Sequence, residues 1–360
     1  MTTAWTSDAV DRIDPATAAC VPPVGAPVPV EGGEGRWYWD MWPVQGADGR
    51  IAPLGGREMW MALAAPDRGD PAARHFVAKI CWLERVEGGW ADRSDVLPPI
   101  PVPYEREWAG SALHEAGRVT LFFTGAGTAD RPGGYQQALF EAGAPVDPGG
   151  RIGPWSPPAS SLAAPREHYM PADTHKGEAG RIKALRDPAW FRDPADGAEY
   201  LVFTASLAGA CSQYNGAVGI ARRGRTGWEP LPPLVHADGV NNELERAHAV
   251  FHAGRYYVFW STQRHTFAPE LRHAPTGLYG MVADSLFGPY RPLNGGGLVL
   301  ANPDDAPAQT YSWFVSRELV VSSFVDALPG TCTGAAAFGG VPAPLLRLVI
   351  DGDRCALAKR

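Results

Sequence analysis

Three acids sit in short stretches crowded with aromatic and cationic side chains. Asp40 stands in RWYWDMWPV, among Trp37, Tyr38, Trp39 and Trp42. Asp187 stands in LRDPAWF between Arg186 and Pro188, and the proline favours an extended entry that fixes the acid through the backbone. Glu243 and Glu245 are two apart in NNELERAH, so on a strand they project from one face, roughly 6 to 7 Å apart. Two carboxylates that close disfavour joint ionisation, and in a partly dry pocket Glu245 would be set up as a general acid near neutral pH, with Arg246 offsetting part of the field. Trp108, in REWAGS, adds a further ring. The combination suits a sugar, whose C–H faces pack on aromatic rings while its hydroxyls need carboxylate acceptors and forked donors. Asp40 then reads as a carboxylate in the wall of a sugar-shaped slot. Each fragment also has a plainer reading: a solvated charge cluster for E-x-E-R, a turn for R-D-P, core filling for most of the 13 tryptophans. FRDPADG repeats the tripeptide just ahead of Gly197, and its Asp193 reads as structural.

The elements that must position these acids recur along the chain. A polar or aromatic motif, a short strand, a tight turn and a second strand rich in β-formers open at Trp39, Glu107, Arg186, Glu243 and Thr310. With Asp40, Trp108, Asp187, Glu245 and Tyr311 as markers, the separations are 68, 79, 58 and 66 residues (108−40, 187−108, 245−187, 311−245). Four short strands with turns need roughly 40 to 50 residues, so this spacing suits β-propeller blades with long loops. In a propeller the innermost strands line a central channel, so residues opening successive units converge on one pocket. RYYVFWS and EYLVFTA lack the helical periodicity of an amphipathic helix. A two-sheet sandwich remains the alternative on pattern alone. The expected division is an extended, proline-rich arm over residues 1–30, ending in VPPVGAPVPV, and one propeller over 31–360.

The bulk numbers narrow the partners. The 360 residues include 42 glycines and 35 prolines, well above typical shares, which favours many turns and short strands. With 32 basic and 39 acidic residues and a formal net charge of −7, the chain has no basic block for nucleic acid or anionic lipid. A neutral partner is expected. The five cysteines, at 20, 81, 211, 332 and 355, show no C-x-x-C pair and read as free thiols or one bridge at most. MTTAWTSDAVDRIDPATAAC has neither the basic start nor the apolar core of a secretory leader, and no apolar run approaches bilayer length, so a soluble chain is expected. TGAGTADRPGG lacks the third glycine of a dinucleotide turn, with Asp130 in its place and Pro132 following, and reads as a loop.

With these residues assembled, the chain resembles the bacterial fructosyltransferases of glycoside hydrolase family sixty-eight: levansucrases, inulosucrases and related invertases. WDMWPV, REWAGS, LRDPAWF, NNELERAH, TFAP, GLYGMVADSLFGPYRPLNGGGLVLANP and QTYSWFV occur in the family's order from residue 39 to about 315. The resemblance implies an all-β, five-bladed propeller with a central funnel. It implies Asp40 as nucleophile, Asp187 as stabiliser of the oxocarbenium-like transition state, and Glu245 as acid/base. Trp39, Trp108, Arg186, Glu243, Arg246 and Tyr311 match positions that shape a sucrose pocket. Gln263, in STQRHTF, falls near the acceptor side where many relatives have histidine, and Arg264 joins it in the expected binding set. Ala109 and Asn242 depart from common variants. Asn242 replaces an aspartate that helps hold structural calcium in many Gram-positive members, so no required metal is expected, and the resemblance implies no cofactor. The implied activity is a levansucrase-type transfer of fructose from sucrose to a fructan, an oligosaccharide or water. An invertase is the alternative; a non-catalytic glycan-binding propeller and an arabinan-type hydrolase fit the motifs less well. Export without a recognisable leader to the extracellular space is the location implied, with the cytoplasm as the other possibility.

Overall fold

A computed structural model describes residues 2–15, 18–128, 130–131, 133–162, 167–173, 178–328 and 338–359. Among them, antiparallel strands form five blades around an axis. Blade 1 comprises Arg36–Gly46, Arg57–Pro66, Lys79–Val86 and Gly89–Asp95. Blade 2 comprises Arg106–Glu115, Arg118–Ala126, Gln137–Pro145 and Ala159–Leu162. Blade 3 comprises Leu185–Arg192, Glu199–Ser206, Gly216–Arg223 and Trp228–His236. Blade 4 comprises Glu245–His252, Arg255–Thr262, Gly277–Ala283 and Leu298–Ala301. In blade 5, Thr310–Val315 pairs with Val320–Ala327, which in turn pairs with both Phe338–Pro342 and Leu346–Asp351; Arg354–Leu357 forms the outer edge. The first strand of each blade is the inner one. These inner strands touch in cyclic order, and blade 5 closes the ring on blade 1. Enclosed on both faces, they read as continuous buried runs, as in Thr310–Val315, in place of the alternation of a half-exposed sheet. Ala116–Gly117 and Ala253–Gly254 have positive φ at both residues, the turn whose twist matches a two-residue hairpin.

Every inner strand carries a one-residue bulge at the same height. The pairing skips a residue between Trp39 and Trp42, Trp108 and Gly110, Arg186 and Ala189, Glu245 and His248, and Tyr311 and Phe314. A bulge leaves its extra residue unpaired and turns the local side chains out of the pleat. In blades 1, 3, 4 and 5 the residue with positive φ is Asp40 (48°), Asp187 (57°), Arg246 (56°) and Ser312 (58°). The structural repeat therefore aligns Asp40, Ala109, Asp187, Arg246 and Ser312, one residue later in three blades than the markers Trp108, Glu245 and Tyr311. Gly110 answers a separate demand: a Cβ there would fall 1.8 Å from the Phe122 carbonyl oxygen.

The amino-terminal segment is not a uniformly extended arm. Thr3–Ala4 adds a parallel strand to blade 3, Ser7–Asp11 is a helical turn capped by Thr6, and Ala19–Cys20 adds a parallel strand to blade 4. Trp5 is buried, donates from Nε1 to the Gly296 carbonyl (3.0 Å) and packs against Trp260 and Phe267. A tryptophan buried at this depth is an anchor, and the prolines that suggested an arm lie only downstream of it. Cys20, Cys81, Cys211 and Cys355 are free thiols; Cys332 lies outside the described residues. No helix among the described residues is long and apolar enough to cross a membrane.

Candidate active site

The bulges face one cavity of about 300 Å³ at the propeller axis. Trp39, Asp40, Trp108, Arg186, Asp187, Glu243, Glu245, Arg246, Gln263 and Tyr311 all line it. Asp187 is fixed from several sides: its amide donates to Thr124 Oγ1 of blade 2 (2.8 Å), and its Oδ2 accepts from Thr204 Oγ1 (3.0 Å) and from the Arg246 amide (3.3 Å). Arg246 reaches across the axis to donate to the Asp40 and Met41 carbonyls, each at 3.2 Å, with its guanidinium against the Trp42 ring. The buried His248 donates from Nδ1 to the Arg246 carbonyl (2.6 Å) and accepts at Nε2 from the Val315 amide (2.9 Å), so one imidazole ties the blade 4 bulge to blade 5. Burial pushes the His248 pKa down to about 3, which keeps this neutral pairing intact.

Glu243 lies ahead of the blade 4 inner strand, which begins at Glu245. Both carboxylates nevertheless meet Arg186 Nη2, Glu245 Oε1 at 2.9 Å. The like-charge pair expected from E-x-E spacing is therefore bridged by a cation from another blade. Glu245 Oε2 also accepts from the Tyr311 hydroxyl, whose pKa is driven well up by burial, then by Glu245 itself, so it stays a donor. Burial raises Asp40 to about 6, against the pull of Arg246 and the Ser312 hydroxyl and with smaller pushes from Asp187 and Glu245. Burial raises Asp187 too, opposed by Arg186 and Arg246. A reaction that needs ionised Asp40 should thus lose kcat/KM as pH falls through about 6, well above the usual carboxylate range. An acid limb near pH 4 would contradict this assignment.

Of the aromatics around Asp40, only Trp39 lines the cavity. Trp42 is fully buried beneath Arg246, Tyr38 donates to Asp92 Oδ2 (2.6 Å), and Trp37 packs on Phe338. Arg264 is a correction: it is exposed, donates from Nε to the Arg272 carbonyl, and does not line the cavity. The 3-10 turn Arg264–Thr266 swings it outward and puts His265 at the cavity edge. Asp193 accepts from Tyr256 (2.6 Å) and the Ala195 amide (2.9 Å) at its turn, away from the cavity. Asn242 is fully engaged: Oδ1 accepts from Gly180 and Ile182 amides, and Nδ2 donates to the Ile182 and Gln213 carbonyls. Its amide donors do what a carboxylate at that position could not. Among the described residues, no group of three or more His, Cys, Asp or Glu could hold a metal.

Sequence reasoning missed Arg74, His75 and Asp326, which also line the cavity. Arg74 lies 5.3 Å from the Trp39 ring centroid, and the His75 carbonyl accepts from Trp108 Nε1 (3.1 Å). Burial, then Arg74, Arg106 and Arg186, lowers His75 to about 3, so it is a neutral wall group with no acid/base role at ordinary pH. These residues lie between or at the far ends of strands, where the repeated openings gave no pointer; the ARHF stretch was the available signal.

The sequence signature described as Levansucrase/Invertase, glycoside hydrolase family 68, matches residues 1–217 and 209–360. The chain belongs to the levansucrase/invertase family. It is 32% identical to a levansucrase of Rahnella aquatilis, over 98% of this chain and 93% of that protein. It is 31% identical to a levansucrase of Erwinia amylovora with the same coverage. Among solved structures, an inulosucrase from Halalkalicoccus jeotgali bound to kestose superposes with a TM-score of 0.89, 38% identity and coverage of 99% of this chain and 95% of that one. The catalytic domain of a β-fructofuranosidase from Microbacterium saccharophilum gives 0.86 at 25% identity, covering 99% and 91%. The matches thus include proteins named levansucrase, inulosucrase and β-fructofuranosidase.

Proposed function

We propose that this protein cleaves sucrose and transfers its fructosyl unit, as a levansucrase does, by a retaining double displacement. The observation that carries this is the convergence of Asp40, Asp187 and Glu245 on one cavity, cross-linked by Arg186 and Arg246, in a chain of this family. Asp40 attacks the anomeric carbon of the fructosyl unit while Glu245 gives a proton to the departing glucosyl oxygen. Glucose leaves and a fructosyl ester on Asp40 remains. Glu245, now a carboxylate, takes the proton from an acceptor hydroxyl, whose oxygen attacks the same carbon and frees Asp40. Asp187 faces the positive charge that develops at the ring between these steps. Arg186 holds Glu245 in place, and Trp39 and Trp108 offer apolar faces to the sugar.

The test is a time course of free glucose and free fructose on concentrated sucrose, with products separated by size and their linkage read. The expected result is glucose in clear excess over fructose, with growing β-2,6-linked chains. Equal release of both sugars makes water the main acceptor and the protein an invertase. β-2,1 products favour the inulosucrase reading that the 38% identical relative supports. Release of neither sugar removes sucrose as the substrate.

A further inference from the structure

A continuous ladder of ring contacts runs from the cavity floor to solvent. Trp39, beside Asp40, meets His75 edge-on with centroids 5.9 Å apart, and His75 meets Trp108 at 6.5 Å. Trp108 meets Tyr135 at 6.2 Å, and Tyr135 meets Phe76 at 5.8 Å. Exposure rises along the ladder from 2% at Trp39 to 41% at Phe76. The first four rings line the cavity, and Phe76 lies just beyond them.

One buried cation holds the outer part of this ladder. The guanidinium of Arg106 lies 5.1 Å from the Phe76 centroid, 5.3 Å from Trp108 and 5.9 Å from Tyr135. Arg106 is 1% exposed, donates to Glu105 Oε2 (2.8 Å) and to the Gly134 carbonyl, and so cannot itself reach a ligand. Burying a guanidinium is costly, and here it fixes three rings from beneath. A lone exposed phenylalanine needs no explanation. A phenylalanine clamped at the end of a ring series that starts at the reacting centre is a different object, because rings already immobilised lose little entropy when a flat apolar face settles on them.

We infer that Tyr135 and Phe76, continuing outward from Trp108, form a track for the sugar units of an acceptor chain beyond the unit at the reacting centre. The occupant is a neutral fructosyl oligosaccharide. Its ring faces suit the track, and the cation beneath is already neutralised by Glu105. Holding a chain there raises the chance that a sugar hydroxyl, and not water, meets the fructosyl-enzyme. This rests on the transferase reading above.

The experiment uses the full chain with Phe76→Ala and Phe76→Trp, at fixed sucrose and varied kestose, recording glucose, fructose and product length together. Phe76→Ala should raise the kestose concentration needed for half-maximal transfer about three- to tenfold and shorten the products, with Phe76→Trp moving both the other way. Identical acceptor dependence and product length in both variants, with thermal midpoints retained, overturns the track. Failure of the parent protein to release glucose in the same tubes overturns the transferase reading and the track with it, and so is told apart from failure of the track alone.

Discussion

Asp40→Ala protein releases no measurable glucose from sucrose. Without the carboxylate no fructosyl ester forms, and the expected loss is at least about 10⁴-fold in kcat. The fold tolerates the change, because the lost group is one that burial already disfavours in its charged form. Stability should stay within about 1 kcal/mol of the parent. Sucrose affinity, measured by calorimetry, should be largely kept, since Trp39, Trp108, Arg186 and Glu243 remain in the cavity wall. Turnover near the parent level would remove Asp40 as the nucleophile, whatever the binding result.

Glu245→Gln separates proton transfer from nucleophilic attack. Glutamine keeps the volume, and with its one oxygen accepting from Arg186 its amide nitrogen donates to the Tyr311 hydroxyl oxygen, but it cannot give or take the proton. On sucrose, kcat should fall about 10²- to 10⁴-fold. A fructosyl donor whose leaving group departs without protonation, such as the fluoride, should recover the first step, so that the fructosyl-enzyme accumulates. Azide, which needs no deprotonation to attack, should then release it as a fructosyl azide of retained configuration. The Asp40→Ala protein should give no azide of retained configuration, because that product needs the ester on Asp40. An equal loss on sucrose and fluoride would show that Glu245 is not the proton donor.

The propeller was legible because each blade opens with a motif that chemistry makes conspicuous, followed by a hairpin of strong β-formers. The three acids were legible for the same reason. Their register was not. Side-chain type marks Trp108, Glu245 and Tyr311, whereas the repeat is set by a backbone bulge that has no periodic signature, so no sequence pattern puts Ala109 and Ser312 in register with Asp40 and Asp187. Glu243 and Glu245 looked like a repulsive pair because the cation between them, Arg186, comes from a blade 57 residues away. Arg74 and His75 reach the cavity from a 3-10 segment between blade strands, a position fixed by loop geometry that local pattern does not encode. Trp5 and the short helix after it were hidden by the prolines downstream, although Thr6 capping the Ala9 amide is a local signal.

The bulges also have a thermodynamic meaning. Asp40, Asp187, Arg246 and Ser312 are not glycines, yet all hold φ between 48° and 58°. Backbone of that kind costs about 1 to 3 kcal/mol per residue. Four such residues together weigh on the order of the entire folding margin of an ordinary domain, about 5 to 15 kcal/mol. The interlocked blades must therefore be intrinsically far sturdier than the net stability of the molecule. Drift that let these four positions relax into regular strand would yield a more heat-resistant propeller with a mouth of the same aromatic character, able to hold sugars and unable to transform them.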